Sequence, residues 1–384
     1  IMEDLKNLWL CEWIVPFVRN LSEGKTGFCV GGIKIENPIS SSPPGSTDTP
    51  QNDIFTIAVP FGGEVIRWQF IFDGTNQKIS PDILLPSTGF DDFDPEFDDI
   101  KSLLHWDNEN KDSLLLAVQE TVHLFKEHQR QVCYGIDKNL SSELSELLSD
   151  KDYASAEVYL KRAPKTKAPK SLNVLVKIPV DLKPLLEMFS KEILERDSII
   201  HSPLLLVKFD LEVKKAVPMP FLPSHFEKII GSKDQLNIPP YTMSTTIHQY
   251  VKKVEEKLTE VVQTVVTSQS KRCEYVAAFL RQFPADVLEY DAQNFSSISL
   301  VFSYQTFYFL VHISLSKFFP QNLPSVTLQS AYHLTKQDEL FKKTFTNYPY
   351  SPRWSGTEMA KRTKNFILEK IPLFKDSCIR NGVL

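Results

Sequence analysis

Cys11, Cys29, Cys133, Cys273 and Cys378 are the side chains of this chain best suited to covalent chemistry, because a thiolate is a strong nucleophile and a soft metal ligand. Their odd number and wide scatter form no Cys-x-x-Cys pair and no Cys/His cluster. Neither a zinc knuckle nor a disulfide framework is expected, and a reducing compartment is. The eight histidines make no His-Glu-x-x-His pattern, and His123 and His128, five apart, lie off one helical face. Six carboxylates crowd Phe90-Asp91-Asp92-Phe93-Asp94-Pro95-Glu96-Phe97-Asp98-Asp99, yet the alternating ligands and central glycine of a calcium loop are missing. Phe90, Phe93 and Phe97 predict instead a solvated acidic turn or short helix whose charge suits a basic partner. The opposite charge gathers in Lys161, Arg162, Lys165, Lys167 and Lys170, interleaved with Pro164 and Pro169, a solvated loop or a surface for an acidic ligand. No glycine-rich phosphate loop and no nucleophile elbow appears, so no cofactor, no metal and no hydrolase chemistry is expected.

One loop has the composition of an interface. Tyr348, Pro349, Tyr350, Pro352, Arg353 and Trp354 concentrate the residue types that dominate binding hot spots, so partner contact is their expected role. Packing of the loop onto its own sheet is the alternative, since Tyr and Trp also close cores with one end wet.

The elements that must hold these residues follow from periodicity. At 384 residues, with about 150 per domain, the chain has room for two or three domains. Its 42% hydrophobic and 24% charged residues are those of a folded chain, and a net charge of −5 argues against a general nucleic-acid binder. The most apolar window, Ile298 to Leu315, is broken by Ser303, Tyr304, Gln305, Thr306 and His312 and suits a hairpin better than a membrane span. An opening Ile1-Met2-Glu3-Asp4, acidic where a secretory leader is basic, predicts no export.

Leu8, Trp9, Trp13, Ile14, Phe17 and Val18 recur with helical spacing; Gly27 to Ile35 and Ile54 to Phe72 read as strands, with the Pro- and Ser-rich Asn37 to Asp53 a loop between them. Leu115, Val118, Val122 and Phe125 predict a helix from Ser113 to about Cys133. Glu157 to Lys161, Leu172 to Val180 and Pro203 to Val213 follow as strands. A long helix starts near Ile247, and with no Gly or Pro before Pro284 it is expected to run on through Val276, Phe279 and Phe283. Ile298 to Phe302, Phe307 to Leu315 and Val326 to His333 alternate as half-buried strands. A last helix opens with Ser355 and Glu358 in capping-box register and is expected to break near Pro372. The fold class is therefore α+β, with antiparallel meanders flanked by helices. Three modules are expected, at 1–135, 136–268 and 269–384.

Phe319-Pro320-Gln321-Asn322-Leu323-Pro324-Ser325-Val326, following a hairpin and leading into a strand that ends at His333, resembles a ubiquitin-conjugating fold. There His333-Leu334-Thr335 would stand in place of a His-Pro-Asn turn whose asparagine steadies the developing oxyanion, and two of the three residues differ. The thioester chemistry of that fold needs a cysteine soon afterwards, and the next is Cys378. We therefore expect the fold without the catalysis, and His333-Leu334-Thr335 as a structural turn.

Lys271-Arg272-Cys273-Glu274-Tyr275-Val276-Ala277-Ala278-Phe279-Leu280, Glu289-Tyr290-Asp291-Ala292 and Asn347-Tyr348-Pro349-Tyr350-Ser351-Pro352-Arg353-Trp354 closely resemble the BRE family. The likeness is strongest from about Lys271 to Leu384 and fainter through Ile57-Ala58-Val59-Pro60-Phe61-Gly62-Gly63-Glu64 and Ser80-Pro81-Asp82. It implies tandem ubiquitin-conjugating-enzyme variant (UEV) or RWD-like modules in an elongated, non-catalytic arm of a deubiquitinase complex (BRISC-like) selective for lysine-63-linked ubiquitin chains. The partners it implies are a metalloprotease-type deubiquitinase subunit, an Abraxas-like subunit and a MERIT-type adaptor with a von Willebrand A-like fold. Polyubiquitin joins them as a ligand, nucleic acid and membrane do not, and residence is expected in cytoplasm and nucleus. Asn76-Gln77-Lys78-Ile79-Ser80-Pro81 departs from the family by keeping one proline of its proline-rich turn. A free-standing ubiquitin- or peptide-binding module is the alternative function, and a conjugating enzyme with a displaced cysteine a third.

Overall fold

The computed structural model describes residues 10–24, 27, 32–41, 52–85, 93–163, 166, 168–188, 202–230, 236–242 and 244–381. Among these the chain is α+β, with helices and three open antiparallel sheets following one another in sequence. It divides into two compact units, Ile1–Asp181 with Glu192–Thr259, and Leu182–Lys191 with Glu260–Leu384.

Sheet one has the order β1 (Lys34–Ile39), β2 (Ile54–Phe61), β3 (Glu64–Ile71) and β4 (Asp82–Leu84). It is framed by α1 (Val15–Glu23), the single-turn α2 (Lys101–Leu104) and α3 (Ser113–Tyr134). Alternation sends Phe55, Ile57, Val59 and Phe61 of β2 and Ile66, Trp68 and Phe70 of β3 to one face. Helical spacing brings Phe17, Val18 and Leu21 of α1 with its N-cap Ile14, and Leu114, Val118, Val122 and Phe125 of α3, down onto it. Of the strand expected over Gly27 to Ile35, residues 28–31 lie outside the described residues; β1 begins at Lys34 and runs through Asn37 and Pro38, which the sequence placed in a loop. Asn37 takes φ 52° at a shift of register, so a bulge on this edge strand accommodates the proline. Of the expected first helix and loop, Leu8, Trp9, Ser42, Pro43, Pro44 and Pro50 lie outside the described residues.

After α4 (Lys138–Ser149), sheet two runs β5 (Glu157–Arg162), β6 (Pro169–Lys177), β7 (Leu204–Asp210) and β8 (Lys215–Phe221), in that order and antiparallel throughout. Gly62 and Gly63, at φ 55° and 77°, make the two-residue turn between β2 and β3 and lie against this sheet. The Gly62 N–H donates to Glu157 Oε2 at 2.8 Å, and Asn173 Nδ2 donates to the Gly62 carbonyl at 3.0 Å. Glu157 and Asn173 are buried, so the turn satisfies polar groups that would otherwise be costly inside.

Beyond α5 (Lys183–Met188) and α6 (Ser224–Ile230) comes α7 (Ile247–Gln282), 36 residues long, as its freedom from Gly and Pro predicts. The division between the two units falls within it. Its first turn is anchored on the α4 segment, where Glu143 Oε2 accepts the Ile247 N–H at 3.1 Å. His248 has one ring nitrogen 3.2 Å from Glu146 and the other 2.9 Å from Asp150.

In the second unit, sheet three has the order β13-β12-β11-β10-β9. Its strands are β9 (Val287–Tyr290), β10 (Ser297–Tyr304), β11 (Phe307–Ser314), β12 (Ser325–Leu334) and β13 (Leu340–Phe345). Ile298, Leu300, Phe309, Val311, Ile313, Val326 and Leu328 form its core face, covered by Tyr275, Val276 and Phe279 of α7 and by Phe283 just after it. Met359, Ile367, Ile371, Phe374 and Cys378 of α8 (Gly356–Asn381) complete that core. The expected break at Pro372 does not occur: α8 runs through it to Asn381. Pro372 and Leu368, whose carbonyl loses its N–H partner, both face solvent, while Ile371, Phe374 and Cys378 are buried. Water can satisfy the freed carbonyl, and packing of the opposite stripe holds the helix together.

Candidate partner-binding surface

Where the sequence would place a conjugating turn, the structure has an ordinary hairpin. The Thr335 N–H donates to the Glu339 carbonyl at 2.7 Å, closing β12 onto β13. His333 points inward at 5% exposure; its Nδ1 lies 3.0 Å from Ser330 Oγ, which also accepts the His333 backbone N–H. Its ring lies against Tyr332 and Phe307.

Among the described residues no cysteine lies beside that turn. Cys378 is fully buried in the core of sheet three, and burial pushes its thiol up to about 11. Burial pushes Cys133, on α3, up to about 12, against a small opposing pull from Arg162. Cys11 is raised by burial first and then by Asp53 and Glu12. Such thiols are protonated at neutral pH and poor nucleophiles. Cys273 is exposed on α7, and Cys29 lies outside the described residues.

The aromatic loop before α8 divides in two. Tyr348 is buried and stacks on Phe366 at 5.0 Å, with its hydroxyl donating to the Pro324 carbonyl at 2.8 Å. Tyr350 is half-buried and donates to the Pro320 carbonyl at 2.6 Å. Burial raises both phenols well above their ordinary value. These bonds tie the loop to the Phe319–Pro324 stretch. Trp354 is half-buried beneath the Arg362 guanidinium, 4.3 Å from its ring, a cation–π contact. Pro349, Pro352 and Arg353 face solvent. Three of the six expected contact residues therefore fasten the loop, and the other three form its outward surface.

Two further contacts fasten the loop, the first of them not read from the sequence. Glu274 Oε1 accepts the Gly356 N–H at 2.8 Å. Its carboxyl is held below the ordinary range first by a hydrogen bond from Lys271, with burial opposing. Ser355 Oγ accepts the Glu358 N–H at 3.2 Å, the cap that the sequence predicts.

On the other face of sheet three, Ser299 Oγ lies 2.9 Å from His312 Nδ1 and 3.3 Å from Glu289 Oε1. Strand register places the three side by side, Glu289 and His312 each opposite Ser299. The serine sits between carboxylate and imidazole, whereas a nucleophilic relay needs the imidazole in the middle, so no base is aimed at a free hydroxyl. Sequence spacing held this signal only through the pairing of β9, β10 and β11.

The acidic stretch ends in a 3-10 turn, Phe97–Asp99, with the Glu96 N–H donating to Asp99 Oδ2 at 3.1 Å. Phe93 anchors it edge-on to Phe125 at 5.1 Å, but Phe97 is exposed. Phe90, Asp91 and Asp92 lie outside the described residues, as do Pro164, Lys165 and Lys167 of the basic run. Among the described residues no group of three or more His, Cys, Asp or Glu is arranged to hold a metal ion. No helix among them is long and apolar enough to cross a membrane.

The family model described as brain and reproductive organ-expressed protein (BRE) matches residues 10–334. A relative from Branchiostoma floridae, named BRISC and BRCA1-A complex member 2, is 36% identical over 378 residues, covering 97% of this chain and 96% of the relative. One of the same name from Danio rerio is 33% identical over 377 residues, covering 97% and 95%. Both alignments are long enough to take in the aromatic loop, which lies beyond the span of the family match.

Proposed function

The chain belongs to the BRE family, and from that membership we propose that it is a non-catalytic scaffold subunit of a deubiquitinase complex of the BRISC and BRCA1-A type. The observation that carries this reading is the end-to-end match to relatives whose name describes membership of that complex, 97% of this chain against 96% of the relative. In this reading each sheet with its helices is a UEV- or RWD-like module, at 1–135, 136–268 and 269–384. The chain bridges the deubiquitinase core and an adaptor, and supports recognition of lysine-63-linked ubiquitin chains, in cytoplasm and nucleus.

The thiols favour binding over catalysis, because Cys378, the one cysteine that follows the hairpin turn, is buried and protonated. The outward Pro349, Pro352 and Arg353 are the proposed partner contacts, with Tyr348, Tyr350 and Trp354 holding them in place. The partners are a metalloprotease-type deubiquitinase subunit, an Abraxas-like subunit and a MERIT-type adaptor. Co-expression with these three, followed by size exclusion with light scattering, tests the reading. One co-eluting species heavier than any single subunit is expected; elution as a lone monomer would overturn the scaffold role and favour a free-standing binding module. A ubiquitin thioester formed on this chain with an activating enzyme would overturn the non-catalytic part.

A further inference from the structure

Beside the seated Gly62-Gly63 turn, sheet two carries an open cavity of about 460 Å³ rimmed by Lys161, Lys170, Lys208 and Lys215, with Ser171 and Asp210 between them. Strand pairing assembles it, since Lys161 lies opposite Ser171, Ser171 opposite Asp210, and Asp210 opposite Lys215. Only Lys161 and Lys170 belong to the basic run visible in the sequence.

The charges do not cancel. Lys161 and Lys208 both approach the single carboxylate of Glu64, at 3.4 and 3.6 Å. Asp210 spends one oxygen on the backbone N–H groups of Glu212 and Val213, at 3.0 and 2.9 Å. Lys170 and Lys215 have no acidic partner among the described residues. Four ammonium groups thus face two carboxylates that are already engaged. Ser171, which lines the cavity, is 6% exposed, and its hydroxyl has no hydrogen-bond partner among the described residues. Its oxygen is not sealed off by the protein, so the hydroxyl can donate to or accept from a group that enters the cavity.

The lining also selects among anions. Val213 and Val217, 70% and 44% exposed, give the cavity an apolar wall. It has no aromatic residue on which a base could stack, and the whole chain carries a net charge of −5, both unfavourable to nucleic acid. Lysines act as separated point charges and lack the planar guanidinium fork that grips a single phosphate, which suits carboxylates spaced along a chain. Addition of a strand to the neighbouring edge is blocked, because β8 carries Pro218 and Pro220, which have no N–H to donate.

We propose that this cavity docks an acidic peptide segment of a partner protein. Its carboxylates meet Lys170, Lys215 and the Ser171 hydroxyl, and an apolar side chain between them rests on Val213 and Val217. This goes beyond complex membership and does not depend on it.

The test titrates the full chain into a fluorescein-labelled peptide alternating Glu and Leu, and reads anisotropy at low and raised salt. A matched Gln and Leu peptide and a short single-stranded RNA serve as competing probes. Binding of the Glu peptide that weakens with salt is expected, with a loss of about tenfold or more in K170E/K215E and no change in K177E, which lies on β6 away from the cavity. Both rim lysines are exposed, so the double variant should melt as the parent does; K215Q alone gives a milder second variant with a smaller loss in the same direction. Equal binding of the Gln peptide, or undiminished binding by K170E/K215E, would overturn the proposal. So would RNA binding that is lost in that variant while the Glu peptide fails to bind.

Discussion

Gly62→Ala should unfasten the two sheets of the first unit, and its size can be worked from the turn. At φ 55° a residue with a Cβ costs about 1 to 2 kcal/mol. The new methyl would lie 2.6 Å from Tyr159 Cβ, an atom too close to its own backbone to swing away. The turn must therefore lift, breaking the bonds from Gly62 to Glu157 and from Asn173 to Gly62. Each leaves a buried group short of a partner at about 1 to 3 kcal/mol, and the stiffer unfolded chain returns less than about 1 kcal/mol. The net is about 4 kcal/mol, or a fall in Tm of about 10 °C for a unit of this size. Differential scanning fluorimetry measures the fall, and hydrogen exchange at β2, β3, β5 and β6 assigns it, since a chain of two units need not melt in one step. Gly32→Ala, with nothing within 4 Å of the added Cβ, is the neutral control. Gly62→Asn separates the causes, because asparagine tolerates a left-handed backbone but still meets Tyr159. If Gly62→Asn matched the parent, backbone conformation alone would be at stake; if Gly62→Ala melted with Gly32→Ala, the seating would contribute nothing and the reasoning would fail.

Other expectations follow from single contacts. Pro372→Ala restores an N–H to the Leu368 carbonyl in a helix that already holds its shape, and should stabilise the second unit by about 1 to 3 kcal/mol in thermal unfolding. Tyr348→Phe and Tyr350→Phe each remove a hydroxyl bound to a prolyl carbonyl and should cost about 1 kcal/mol, read by urea denaturation. Iodoacetamide should label Cys273 in the native protein and spare Cys133 and Cys378 until denaturant is added; early labelling of Cys378 would contradict its burial. For Asp291, burial pulls the carboxyl up, but the Ser296 hydroxyl and the N–H groups of Asn294, Gln293 and Ser296 outweigh it and leave it at about 2. A depressed folded value means that its stabilisation is present above the ordinary 3.8 and is lost as pH falls from there toward 2. Asp291→Asn should flatten acid sensitivity in that window, measured by circular dichroism.

Much of this architecture was legible because period and punctuation agreed. Phe55 to Phe61 alternate, Leu114 to Phe125 stripe, and no Gly or Pro interrupts Ile247 to Gln282, so β2, α3 and α7 could be read directly. Proline misled twice for one physical reason. It removes a donor, and at Pro372 and at Pro38 on edge strand β1 the group left unpaired can face water instead of the interior. The helix Lys138–Ser149 was overlooked, although Asp137 caps it and Leu144 and Leu147 carry its buried stripe. At the aromatic loop, composition marked six residues but not which of them point outward. That division depends on where the carbonyls of Pro320 and Pro324 lie, which no local pattern encodes. The lysine cavity hid for a similar cause, because Lys208 and Lys215 join Lys161 and Lys170 only through strand pairing.

The two phenolic bonds of the aromatic loop also bear on the kinetics of any encounter there. With Tyr348 and Tyr350 tied to fixed carbonyls and Trp354 covered by Arg362, the backbone around Pro349, Pro352 and Arg353 is ordered before anything arrives. Little conformational entropy then remains to be lost on association, and the collision complex needs no search for a bound shape. Changes on this surface should accordingly act through residence time, with the on-rate governed by diffusion and charge.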